Sequence, residues 1–167
     1  GAGRPPTRAS AVLGWLGLGA ATGQAVHLCR LPGIYGPGRN QLAQLAAGTA
    51  RRIVKPGQVF NRIHVDDIAA VVAASLARPR AGAIYNVCDD EPAPPQDVIA
   101  YAAKLMGVAP PPEEAFATAE MSPMARSFYA SSARVSNAQL KRELGVALVH
   151  PTYRHGLDAL WRAGDAR

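Results

Sequence analysis

The chain has 167 residues, 49% of them hydrophobic and 18% charged. That is the size and balance of one ordinary folded domain, and it excludes a disordered or tail-like protein. The net charge of +6 is unevenly spread: eight arginines and lysines and no acid lie between Gly1 and Val65, and the first acid is Asp66.

A wholly basic stretch calls for an anionic partner, either nucleic acid or a small molecule that carries phosphate. Only 6% of residues are aromatic and none interleaves with these cations, which argues against a single-strand nucleic-acid binder. Cys29 and Cys88 are too few and too far apart for a disulfide framework. Both sit in apolar runs and read as buried free thiols in a reducing cytoplasm.

Residues 1–9 read as a disordered or truncated start, and 10–167 as one folded unit. Ala9 to Val26 is uncharged and follows two arginines, as a leader would. Gly14, Gly17, Gly19 and Gly23 dilute it, so it makes a poor bilayer span. Within it, the spacing predicts a helix over 10–21 with Val12, Leu13, Leu16 and Leu18 on the apolar side. A short strand over 25–31 follows, then a turn-rich loop from Pro32 to Asn40, then a helix over 40–47. Residues 59–65 alternate and read as a strand. Asp66 is placed to cap a helix over 67–77 whose acids complement the dipole. A strand over 83–87, a helix over 96–106 ended by Gly107, and a proline-rich loop over 109–114 come next. Ser136 caps a helix over 137–144 stopped by Gly145, and Thr152 caps a last helix over 153–161. Strands alternating with helices make this an α/β chain with a mainly parallel sheet.

Ligands of such sheets collect beyond the carboxyl ends of strands. Two segments lie there. The first, Pro32-Gly33-Ile34-Tyr35-Gly36-Pro37-Gly38-Arg39-Asn40, combines flexible glycines with an arginine suited to phosphate. The second, Asn61 to Asp67, sets Arg62 and His64 on one strand face just before a helix. A plain structural loop and a hydrogen-bonded core histidine are the alternatives. The four histidines show no metal-ligand spacing, so no metal is expected. No G-x-S-x-G elbow or phosphate-binding P-loop occurs. Gly17 to Gly23 fits a G-x-G-x-x-x-G spacing, but the next strand begins too soon and no ribose-binding acid follows. No tyrosine has a lysine four residues on; Tyr101 and Lys104 are three apart and read as helix packing.

Four segments in order, RLPGIYGPGRN, FNRIHVDDIAAVV, IYNVCDDEP and RVSNAQLKRELG, resemble the C-terminal half of extended short-chain dehydrogenase/reductases, the NAD-dependent epimerase/dehydratase group. The likeness is greatest to atypical NAD(P)-dependent oxidoreductases and runs from about Leu13 to Leu160. It implies a partial Rossmann-like parallel sheet with helices, plus a small α-rich C-terminal substrate subdomain. It implies NAD or NADP as cofactor, with Pro32, Gly33 and Ile34 at the nicotinamide. Tyr35, Arg39, Arg62 and His64 would border a small, nucleotide-sugar-like substrate, and His64 to Asp67 would be largely structural. The family's glycine-rich phosphate loop and Ser/Thr-Tyr-Lys set have no counterpart here, so no catalytic residue is assigned. Hydride transfer would then need that other half. A partner chain, or that half, is expected to cover the open sheet edge. A non-catalytic binding remnant of the same fold is the alternative; membrane association is not expected.

Overall fold

The computed structural model describes residues 8–166. The expected start over 1–9 therefore lies largely outside the described residues. The chain is helices alternating with three-residue strands. In order these are α1 (Arg8–Thr22), β1 (Leu28–Arg30), β2 (Gly33–Tyr35), α2 (Gln41–Ala46), β3 (Arg52–Val54), β4 (Arg62–His64) and α3 (Val65–Ala77). They continue with β5 (Ile84–Asn86), α4 (Pro95–Met106), β6 (Glu113–Ala115), α5 (Pro123–Ser127), α6 (Ala138–Leu144) and α7 (Tyr153–Arg162).

The strands form three parallel pairs. Leu28 lies opposite Ile84 in β1–β5, Gly33 opposite Arg62 in β2–β4, and Arg52 opposite Glu113 in β3–β6. The α/β class with parallel pairing is as expected. Several elements differ from the sequence reading, including helix α5, which it did not place. The Pro/Gly loop contains strand β2, because Gly33 to Tyr35 find partners in Arg62 to His64. Strands β3 and β6 pair across about sixty residues, a contact no local pattern announces. The cap of α3 is His64 and not Asp66: the His64 Nδ1 accepts the Asp66 N–H at 3.2 Å, and Asp66 lies in the first turn.

The N-cap of α6 is Asn137 rather than the expected Ser136, and Thr152 precedes α7 as expected, but neither makes a side-chain capping bond. Asn40 caps α2 through its side chain. Gly107 and Gly145 end α4 and α6 with φ of 68° and 64°, the left-handed region where a Cβ is disfavoured.

Two apolar clusters form the core. One joins α2, α4 and α7 through Leu42, Val98, Ala102, Tyr153 and Leu157, with Tyr35 of β2 among them. The other packs α3 and α6 on β4 and β5 through Ile63, Val71, Tyr85, Val87, Leu140 and Leu144. A smaller cluster of Ile53, Ala119 and Tyr129 lies under β3 and β6. Helix α1 does not share in this burial: Leu13 and Trp15 are 69% and 62% exposed. Among the described strands β1 pairs with β5 alone, so its other edge is open. No helix of the described residues is long and apolar enough to cross a membrane.

Candidate functional site

The chain leaves β1, turns at Leu31-Pro32 and enters β2. A cavity of about 390 Å³ opens at that turn, beyond the carboxyl ends of β1 and β5 and at the start of β4. Its walls are Arg30, Leu31, Pro32, Asn61, Asn86, Cys88 and Val135. The polar walls are already engaged in holding segment 133–137 across the cavity. Asn61 donates through Nδ2 to the Ala133 carbonyl and accepts the Val135 N–H. Asn86 donates to the Ser136 carbonyl, and the Cys88 thiol to that of Val135. Asn137 donates to the Cys88 carbonyl and to Asp90.

The basic stretch resolves into two groups. Arg51 and Arg52 pair with Glu114 and Glu113, which the β3–β6 pairing brings beside them. Lys55 donates to the Tyr129 carbonyl. Arg30 and Arg39 have no acidic partner among the described residues. Of these two, Arg30 lines the cavity, a residue the sequence reading did not single out.

The predicted site residues separate into three places. Pro32 forms part of the cavity wall, and Gly33 and Ile34 continue from it with exposed side positions. Tyr35, Arg62 and His64 are buried on the protein side. Arg62 donates through Nη1 to the carbonyls of Phe60 and Ala93, at 2.9 and 3.1 Å. Tyr35 lies edge-on to His64 with ring centroids 5.1 Å apart. Arg39 is exposed in a separate turn closed by Gly36 and Arg39, and Asp165 accepts the neighbouring Gly38 N–H. Both cysteines were expected buried; Cys88 is, but Cys29 is exposed because β1 has an open side.

Electrostatics under the cavity centre on Asp89, which follows the wall residue Cys88. Burial pushes the Asp89 carboxyl up to about 7, against the pull of the Glu91 N–H and the Arg62 charge. Its Oδ2 has no partner. Burial and the charge of Asp89 also push the Cys88 thiol up to about 11, so it is neutral at physiological pH. The unfolded chain releases the Asp89 proton near the ordinary carboxylate value, whereas the folded chain keeps it to about pH 7. Folding stability therefore falls as pH rises across that window. Asp89→Asn should remove this fall, so that urea midpoints at pH 5 and pH 8 move closer than in the parent. Equal pH dependence of the two proteins would show that Asp89 titrates normally.

Two histidines far apart in sequence meet at the end of β4. The His64 and His150 rings lie 4.0 Å apart, centroid to centroid, with Asp66 beside both. Asp67 holds this junction together by accepting the N–H groups of Val149 and His150, at 2.7 and 3.1 Å.

No protein-family model matches the chain. A solved structure of a conserved protein of unknown function from Silicibacter pomeroyi is 56% identical, with a TM-score of 0.88. The match covers 95% of this chain and 55% of that one. The structure of RMD from Pseudomonas aeruginosa complexed with NADPH is 21% identical with a TM-score of 0.69, over 96% of this chain and 55% of that one. The 3-diazoavenalumate denitrifying reductase of a Streptomyces species is 29% identical over 137 residues, 74% of this chain and 43% of that protein. The chain thus spans less than half the length of the curated relatives it matches.

Proposed function

We propose that this chain, whose fold is that of the C-terminal half of an extended short-chain dehydrogenase/reductase of the NAD-dependent epimerase/dehydratase group, supplies the nicotinamide-facing and substrate-facing side of an NAD(P)-dependent oxidoreductase or epimerase/dehydratase. The carrying observation is the cavity at the carboxyl ends of β1 and β5, where an open parallel sheet takes its ligands. Its volume is within the range of small-molecule sites.

The face suits the flat nicotinamide end of NAD or NADP. Leu31 and Ile34 are 45% and 37% exposed and give an apolar wall, while Pro32 between them fixes the backbone. When bound, the cofactor supplies the hydride chemistry, and the protein supplies orientation. Pro32, Gly33 and Ile34 would flank the ring. Arg30 would meet an anionic group of cofactor or substrate from the cavity rim. Arg62 and His64 would act from beneath, since Arg62 fixes the Phe60 and Ala93 carbonyls and His64 caps α3. Tyr35 stands behind them in the core, so its part is also positional. Arg39, exposed on its separate turn, would reach only a longer substrate, of the nucleotide-sugar kind.

A second reading is a binding protein of the same fold without catalysis. Titration of the chain with NADH or NADPH, followed by cofactor fluorescence, tests both readings at their shared step. Saturable binding in the millimolar range, about −4 kcal/mol, is expected, weakened several-fold by Arg30→Ala. Absence of binding at millimolar cofactor, or binding indifferent to Arg30, would contradict the assignment of this face.

A further inference from the structure

We propose that His64, Asp66 and His150 form a binding site for one divalent transition-metal ion of the zinc or cobalt class. One ligand atom from each residue lies within 4.8 Å of the other two. The His64 Nδ1 is 3.4 Å from Asp66 Oδ2, and the His150 Nε2 is 3.7 Å from the same oxygen.

Each of these three atoms carries a lone pair that can ligate a cation. His64 Nδ1 accepts the Asp66 N–H, so its lone pair is on that side and the ring proton sits on Nε2. That lone pair holds the Asp66 N–H, so an ion bound at Nδ1 would take the place of this hydrogen bond, with the Asp66 carboxylate oxygen 3.4 Å away as its second ligand.

Geometry agrees. Four-coordinate zinc with bonds of about 2.0–2.1 Å sets its ligand atoms about 3.3–3.4 Å apart; the two separations to Asp66 Oδ2 are within a few tenths of an ångström of this, and the two histidine nitrogens, within 4.8 Å of each other, would draw together on binding. His64 and His150 are 2% and 7% exposed, whereas the Asp66 side chain is 67% exposed. The ion would enter past Asp66 and keep a fourth position open to water. The two Asp67 hydrogen bonds fix the backbone at Val149 and His150, so the third ligand is held in place before metal arrives. Two imidazoles and one carboxylate are a nitrogen and oxygen set suited to zinc, cobalt or nickel, not to calcium or magnesium.

The test is titration of the tag-free, chelator-stripped 167-residue chain with Co²⁺ at pH 7.5, read by visible absorption. The expected result is saturable uptake of one equivalent with a ligand-field band, and a rise in the unfolding temperature. Asp66→Asn and His150→Gln should each weaken uptake by about tenfold or more. His27→Gln and His155→Gln should leave it unchanged. Asp66 is exposed, so Asp66→Asn carries the test if His150→Gln does not fold. Absence of saturable uptake, uptake unaffected by Asp66→Asn, or a thiolate charge-transfer band from Cys29 or Cys88 would overturn the proposal.

Discussion

Asp67→Ala should lower unfolding stability by about 3–5 kcal/mol. The Asp67 carboxylate is fully buried and accepts two backbone N–H groups, from Val149 and His150. Each such charge-assisted hydrogen bond is worth roughly 1.5–3 kcal/mol, and its loss strands a buried donor. Asp67 also lies in the first turn of α3, where negative charge meets the positive end of the helix dipole. These interactions tie the start of α3 to the segment that enters α7, and so join the two main core clusters. Against a total stability of roughly 5–15 kcal/mol the loss is a large share. Asp67→Asn keeps one acceptor and turns an amide N–H₂ toward the other N–H, so it should fall between Ala and the parent. Urea unfolding measures both. A cost under about 1 kcal/mol for Asp67→Ala would mean that the junction does not hold the two clusters.

Gly156→Ala should cost about 2–3 kcal/mol or more, because a methyl group there would overlap Tyr35. A Cβ at position 156 of α7 would stand 2.6 and 2.7 Å from Tyr35 Cε2 and Cζ, closer than real Cβ atoms come. Tyr35 is 4% exposed, so the ring has little room to retreat. Tyr35→Leu frees space at this contact, and the double variant should cost less than the two single ones added together. Tyr35→Phe gives a contrasting result. The Tyr35 hydroxyl is buried without a hydrogen-bond partner, so removing it loses no bond and should leave stability equal or higher. It should also leave ligand binding unchanged, since the hydroxyl faces α7 and not the cavity. Thermal unfolding and cofactor titration of Tyr35→Phe check the two halves of that statement. A loss of binding would return Tyr35 to the substrate side.

Helices α3, α4, α6 and α7 were legible because their ends are local chemistry: acids in a first turn, Gly107 and Gly145 past a last one. The order of the four motifs was legible for the same reason, each being short and contiguous. Strands β2, β3 and β6 were not, since three residues carry no period and their pairing is decided by partners far along the chain. The alternation over 59–65 put Arg62 and His64 on one face, but both faces of β4 are covered, so the face of a residue did not say whether a ligand reaches it. Arg62 meets carbonyls and His64 a helix N-terminus, while the cation at the cavity is Arg30. The meeting of His64 with His150 depends on Asp67 drawing in a distant segment, which spacing cannot reveal.

In the proposed function, the face beyond β1 and β5 receives the nicotinamide end of the cofactor. The most direct measurement is the NADH titration of this chain followed by backbone amide chemical shifts. Saturable shifts should appear at Arg30, Leu31, Gly33, Ile34, Asn61, Asn86, Cys88 and Val135, which line or adjoin the cavity. The turn at Gly36 to Arg39 and helix α7 should stay still. Shifts confined to that turn, or none at millimolar NADH, would contradict the account.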